Sequence, residues 1–231
     1  MLSERPEYNK NVSLVAALAP ITFLGNLTNP LVKTMAASID ILEDMTSEME
    51  LYEVFSNDTL FRTLKDGICG DNSPVAKFLC SHLIYALDLA KDLNTKNLNV
   101  ILSHLPSGTS TKMLKHYLQG VQSTKYRKYD YGKETNLEVY ESVEPPGFKM
   151  KNIYAPVSLF YSDVDSIANA KDVFTLGRSM KSPIFEEVTG YGHLDFIFGE
   201  TVRDRVNDAV VELLKLYTGM VIEFSHEKYI Y

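Results

Sequence analysis

The sequence lacks any concentration of positive charge. Its 231 residues contain 23 Lys and Arg against 30 Asp and Glu, and the formal net charge is −7 at pH 7. Proteins that bind nucleic acid neutralise phosphates with clustered Lys and Arg, so this composition argues against a nucleic-acid partner. With 45% hydrophobic and 23% charged residues, the chain has the balance of an ordinary globular protein.

Long apolar runs are also missing. The longest, from Val12 to Gly25, contains Pro20 and is too short to span a bilayer, so we expect no transmembrane segment. The first residues, MLSERPE, carry charges where a signal peptide needs an apolar segment. The sequence as given therefore predicts no export signal.

Three sequons favour a secreted protein instead. Asn11, Asn26 and Asn57 each begin an Asn-X-Ser/Thr pattern, which is an acceptor for N-glycosylation in a secreted chain. Chance also produces such patterns. The three asparagines are therefore glycosylation candidates and carry no further conclusion.

Cysteine is scarce, with two residues, Cys69 and Cys80. They flank the turn Gly-Asp-Asn-Ser-Pro, which leads into a predicted helix, so a local disulfide is one interpretation and two free buried thiols are the other. No His or Asp stands beside them at zinc-ligand spacing. We expect no metal site and no cofactor.

A nucleophile motif is absent as well, since no Gly-X-Ser-X-Gly occurs in the sequence. The nearest imitation, residues 107–110, has no preceding strand to strain the turn and is interpreted as a helix start. Cys80 lies inside an apolar helical pattern, which argues against a Cys nucleophile.

The chain is organised around residues 155–198. An apolar strand, Val157 to Tyr161, ends in the turn Ser-Asp-Val-Asp; a helical segment, a second strand from Ile184 to Val188 and a Gly-rich loop follow. Loops after successive parallel strands meet at one edge of a sheet, so Asp165 and His193 can lie together. A His oriented by a buried carboxylate is the base of a catalytic triad, which α/β-hydrolases build in the order Ser, Asp, His. We expect the Ser upstream, before the start of this sequence.

Other residues compete for these roles. We prefer Asp165 to Asp163 because Asp165 lies further into the turn, and we interpret Asp163 as a solvated turn carboxylate. Asp195 is expected to favour the start of the following helix through the helix dipole. The remaining histidines have ordinary settings in helices, before a turn or in the tail: His82, His104, His116 and His226.

Apolar patterning divides the chain into four parts. Residues 1–21 contain the run Val12 to Ala19, which predicts a central parallel strand covered on both faces. Residues 22–148 predict a mostly helical insertion, with a helix capped by Asn29 and Pro30 and continuing to Met45. Residues 149–218 hold the second α/β part, which ends in a helix with five apolar residues predicted on one face: Val206, Val210, Leu213, Leu214 and Tyr217. Residues 219–231 form a tail without a pattern.

Four segments of the sequence resemble the animal acid lipases, the gastric and lysosomal lipase family with its insect members. They are LSERPEY with the following VAALAP, then HLPSGTS, then the stretch from Tyr161 to Val173 around Asp165, and GHLDFIFG around His193. The resemblance extends from Leu2 to about Tyr217. The fold that it implies is a partial α/β-hydrolase core, made of the C-terminal strands and helices, with an inserted mostly helical cap.

The resemblance also implies functional roles. It assigns Asp165 and His193 as the acid and base of the triad, and it likens Cys69 and Cys80 to a disulfide in the family's cap, although their spacing differs somewhat. Cys69 and the helix after it are the candidates for a mobile lid. The implied activity is hydrolysis of triacylglycerol or cholesteryl esters at a lipid surface by a secreted or lysosomal enzyme without a cofactor. The family's Gly-His-Ser-Gln-Gly nucleophile has no counterpart here.

Three interpretations follow. The chain is part of an ester hydrolase whose Ser lies elsewhere, a non-catalytic lipid-binding or regulatory protein, or an incomplete gene product. We expect the chain alone to be inactive, because a His-Asp pair without Ser forms no acyl-enzyme. The strand from Val12 to Ala19 would also have an open edge, which favours self-association.

Overall fold

The computed structural model describes residues 1–48, 52–54, 78, 81–82, 84–98, 100–101 and 108–219. Several predicted features lie outside these residues. They are the two cysteines with the lid candidate at Cys69, the sequon at Asn57, His104, the first residue of the helix start expected at 107–110, and residues 220–231 of the tail with His226.

A three-stranded parallel sheet forms the centre of the described structure. In spatial order its strands are β1 (Val15–Leu18), β4 (Val157–Tyr161) and β5 (Pro183–Glu187). Val157 pairs with Val15 on one side and with Pro183 on the other. All five residues of β4 are buried, as its continuous apolar pattern predicted.

Helices cover both faces of this sheet. Alternate side chains of β4 point to opposite faces, so each face of the strand packs against a different helix. Leu159 and its neighbours pack against Val173 and Leu176 of α5 (Ala170–Ser179). Phe160 packs in a second cluster with Val210 of α7 (Asp208–Thr218). The predicted α/β class is confirmed by this parallel sheet between helices.

β1 has a strand partner on one side in the described sheet, which fits the predicted open edge and not the predicted central position. The apolar run from Val12 to Ala19 yields four strand residues, all half-buried, and among the described residues they pair with β4 alone. The strand therefore lies at an edge of the described sheet. Apolar continuity predicts burial on both faces, but it carries no information about which strands lie alongside.

The described residues of the region 22–148 include four α-helices with defined ends: α1 (Pro30–Ala37), α2 (Ile39–Glu48), α3 (Thr111–Ser123) and α4 (Lys133–Tyr140). Asn29 caps α1 as predicted, since its side chain accepts from Val32 N at 3.2 Å. The single helix predicted up to Met45 is wrong, because the chain leaves helical geometry at Ser38 and begins again as α2.

Two short strands also occur in this region. β2 (Glu53–Val54) and β3 (Thr109–Ser110) pair antiparallel. Ser110 then caps α3 by accepting from Met113 N at 3.1 Å, within the helix start expected at residues 107–110. The division of the chain into a core and a cap stays a prediction. None of the helices in the described part combines the length and the apolarity needed to cross a bilayer.

The end of the described chain departs from the predicted apolar face. Val206, in a π-helical turn (Arg203–Asn207), and Leu213 pack into the core. Leu214 and Tyr217, however, are 38% and 37% exposed. The predicted face is therefore found at Val206, Val210 and Leu213, which share one core cluster, and not at Leu214 and Tyr217.

Candidate active site

Asp165 lies in the turn that follows β4, and its side chain is completely buried. Its Oδ1 accepts hydrogen bonds from Ile167 N at 2.8 Å and Ala168 N at 2.9 Å. These bonds fix the carboxylate relative to its own backbone, as in an Asx turn. Its other oxygen, Oδ2, is left to bond outside the turn.

His193 meets that second oxygen. Its Nδ1 lies 3.0 Å from Asp165 Oδ2, and its side chain is 19% exposed. The bond requires Nδ1–H as the donor to a carboxylate, so Nε2 keeps its lone pair. The structure thus brings the two predicted residues together at the carboxyl edge of adjacent parallel strands, and the imidazole can accept a proton at Nε2.

The loop before His193 is also bonded to the turn after β4. Ser162 Oγ accepts from Tyr191 N at 3.1 Å. Asp163 Oδ1 accepts from Gly190 N at 2.8 Å, and this bond is the main reason why the pKa of Asp163 lies below its usual value of 3.8. Asp163 is exposed, but it is not merely a solvated turn carboxylate, so that interpretation is corrected.

Asp195 differs from its predicted role at a helix start. It is the first residue of the short helix α6 (Asp195–Phe198), yet it is fully buried. Its Oδ2 accepts backbone hydrogen bonds from Lys91, Asp92 and Gly192. Two of these donors, Lys91 and Asp92, lie in the region 22–148. The sequence around Asp195 does not indicate that its side chain bonds to that region.

Tyr117 of α3 is a further residue near the site that the sequence analysis did not select. It packs against Ile167, two residues after Asp165. Burial, and after it the negative charge of Asp165, raises the pKa of Tyr117 to about 12. No sequence signal places Tyr117 beside Asp165.

The other candidates have partners elsewhere. His82 Nδ1 lies 2.8 Å from Phe78 O, and His116 Nε2 lies 2.9 Å from Arg127 O, as expected of structural histidines. Asn11 and Asn26 are exposed. The amide of Asn26 donates to Asp172 Oδ1 at 2.8 Å, so this sequon side chain is already engaged. Glycosylation at these two residues stays a prediction.

Comparison with known proteins identifies relatives of the whole chain. No protein-family model matches it. The chain is 30% identical over 225 residues to Lipase 3 of Drosophila melanogaster, covering 94% of this chain and 56% of that protein. It is 27% identical over 219 residues to the lysosomal acid lipase/cholesteryl ester hydrolase of Rattus norvegicus, covering 93% and 54%. The chain is a relative of the animal acid lipases.

The resemblance to acid lipases seen in the sequence is therefore confirmed. The chain spans about half the length of the curated relatives it matches. Among solved structures, the monoacylglycerol lipase of Paleococcus ferrophilus is similar at a TM-score of 0.49 and 15% identity, covering 93% of this chain and 65% of that one. The described residues of the chain form a parallel sheet between helices.

Proposed function

We propose that this chain supplies the acid and the base of an ester hydrolase of the acid lipase family. The observation that carries the proposal is the 3.0 Å contact between His193 Nδ1 and Asp165 Oδ2. The two residues follow adjacent parallel strands in the order that the Ser, Asp, His triad requires. Similarity to lipases supports an ester bond as the target.

In this mechanism Asp165 keeps Nδ1 of His193 protonated and stabilises the imidazolium that forms when Nε2 takes a proton. His193 Nε2 removes the proton from a Ser hydroxyl as its oxygen attacks the ester carbonyl, and then returns the proton to the departing alcohol. A water molecule activated by the same nitrogen releases the acid from the acyl-enzyme. The chain contains no Gly-X-Ser-X-Gly. We propose that the Ser belongs to a part of the protein outside these residues.

The proposed substrate class is a lipid ester, such as a triacylglycerol or a cholesteryl ester. The relatives support this class, since one is a lipase and the other a lysosomal acid lipase/cholesteryl ester hydrolase. Apolar side chains of the region 22–148 also pack around the turn that carries Asp165, where Ile167 lies in one cluster with Leu24, Leu27, Tyr117 and Val121. We propose that this region acts as the cap over the site.

Ester hydrolysis by a fusion protein tests the proposal. The part of Drosophila Lipase 3 that precedes its matched region is placed before residue 1, and hydrolysis of a p-nitrophenyl acyl ester is followed. We expect turnover that His193→Ala reduces by about 10³-fold or more. His116→Ala is the matched control and should keep the activity, because the hydrogen bond of His116 among the described residues goes to the backbone carbonyl of Arg127. Turnover that survives His193→Ala would refute the proposal, and lipid binding without turnover would favour a non-catalytic protein.

A further inference from the structure

Asp195 ties the loop of His193 to a distant part of the chain. Its Oδ2 accepts from Gly192 N at 2.7 Å, next to His193, and from Lys91 N at 2.6 Å and Asp92 N at 3.0 Å. Lys91 is 104 positions away in the sequence. One carboxylate oxygen therefore holds three backbone N–H groups of two separate segments.

Packing around Gly192 shows how close these segments lie. A Cβ added to Gly192 would stand 2.7 Å from Ala90 Cα, so no larger residue fits without backbone movement. Leu194 N, on the other side of His193, donates to Leu89 O at 2.8 Å. The backbone on both sides of His193 is thus fixed against residues 89–92.

Stability is a poor explanation for this carboxylate. Asp195 is fully buried, and its second oxygen, Oδ1, has no hydrogen-bond partner among the described residues. Burial raises the pKa of Asp195, so its ionised form is less favoured than that of a free carboxyl, although the three N–H donors act in the opposite direction. A buried charge with an unpaired oxygen costs free energy, and such groups call for a functional explanation.

The same distant segment also holds the turn of Asp165. Ser166 Oγ donates to Asp88 O at 2.9 Å. The side-chain amide of Asn29 lies 2.8 Å from Leu87 O and 3.2 Å from Ser166 Oγ. Residues 87–92 thus contact both the turn of the acid and the loop of the base.

We propose that Asp195 is a positioning residue for His193. By fixing Gly192 against residues 91 and 92, it keeps the imidazole within hydrogen-bond distance of Asp165, which the segment 87–92 holds from the other side. This inference rests on the proposed function of the Asp165–His193 pair. Without the Asp195 carboxylate, the loop is free to move, and the imidazole is no longer held in the Nδ1–H tautomer.

The test uses residues 1–231 with ¹⁵N-labelled histidine. The ¹⁵N chemical shifts of the neutral His193 ring distinguish a single Nδ1–H tautomer from a mixture. The variants are Asp195→Ala, Asp195→Asn and the matched control Asp172→Ala. Asp172 is also a buried carboxylate that bonds a distant backbone N–H, that of Asn26 at 2.8 Å. Urea unfolding shows that the compared variants are folded.

We expect the parent and Asp172→Ala to show one tautomer and Asp195→Ala to populate both. Asp195→Asn keeps one oxygen acceptor and should give an intermediate mixture. A parent-like spectrum for Asp195→Ala would overturn the inference, and if that variant does not fold, a parent-like Asp195→Asn would do the same. Asp165→Asn separates the proposed Asp165–His193 pair from the positioning role of Asp195. An unchanged spectrum in this variant would show that the acid–base pair itself is wrong.

Discussion

Asp163 accepts a hydrogen bond from the backbone N–H of Gly190 at 2.8 Å, although its own side chain is exposed. This bond joins the turn after β4 to the loop after β5 beside the contact between Asp165 and His193. We predict that Asp163→Ala lowers the free energy of unfolding by about 1 kcal/mol at neutral pH, the usual net value of an exposed hydrogen bond to a charged group.

The pH dependence of this effect follows from the lowered pKa of Asp163, which Gly190 N–H mainly causes. The stabilisation is complete above the usual pKa of 3.8 and is lost as the pH falls through the lower pKa of the folded state. Urea unfolding of the parent and Asp163→Ala should therefore differ at pH 7 and converge towards about pH 2. An equal difference at both pH values would contradict this account.

Asn9 joins the N-terminal 3₁₀ helix (Pro6–Asn11) to the segment that leads into β4. Its Oδ1 accepts from Tyr154 N and Ala155 N, and its Nδ2 lies 3.1 Å from Asn152 O. Because Asn9→Ala leaves buried backbone groups unpaired, we predict a loss of about 2–4 kcal/mol in the free energy of unfolding.

Asn11→Ala is the matched control for this substitution. Asn11 stands on the same short helix but is exposed, so its loss should stay below about 0.5 kcal/mol. Chemical unfolding of both variants measures the difference. Equal losses would mean that the bonds of Asn9 contribute nothing particular to stability.

The two edge strands of the described sheet differ in how well they are protected against pairing with another chain. β5 begins with Pro183 and carries Glu186 and Glu187, which discourage pairing with another chain, whereas β1 has the sequence Val-Ala-Ala-Leu. We therefore predict that residues 1–231 self-associate through β1. Sedimentation velocity should show an average mass that rises with protein concentration.

Charge substitutions locate this association. Ala17→Lys gives β1 a charged edge and should shift association to higher concentration, while Phe185→Lys on β5 should leave it unchanged. Urea unfolding of both variants checks that each is folded, because Ala17 packs against the cluster of Leu159 and the Phe185 ring packs against Phe174. A monomer at all concentrations, or equal effects of the two variants, would be inconsistent with an open β1 edge.

Local patterns predicted the parts of the fold and the site that local chemistry determines. The buried strand β4, the Asn29 cap of α1 and the Asp165–His193 pair are each set by neighbouring residues or by strand order. The bonds from Asp195 to Lys91 and from Asn9 to Tyr154 could not be predicted in this way, because each pair is more than a hundred positions apart. The helical period grouped Leu214 and Tyr217 with Val206, Val210 and Leu213, but it could not show that the core covers only the last three.

The identity of the carboxylate partner is the central claim, and the kcat of the fusion protein with ester substrate tests it most directly. Asp165→Asn removes the charge that fixes the His193 tautomer, whereas Asp163→Asn changes a carboxylate two positions away that bonds only to its own turn and Gly190. We predict that Asp165→Asn lowers kcat by about 10³- to 10⁴-fold. Asp163→Asn should stay within about tenfold of the parent, since it makes no contact with the imidazole. A larger loss in Asp163→Asn than in Asp165→Asn would contradict the assignment.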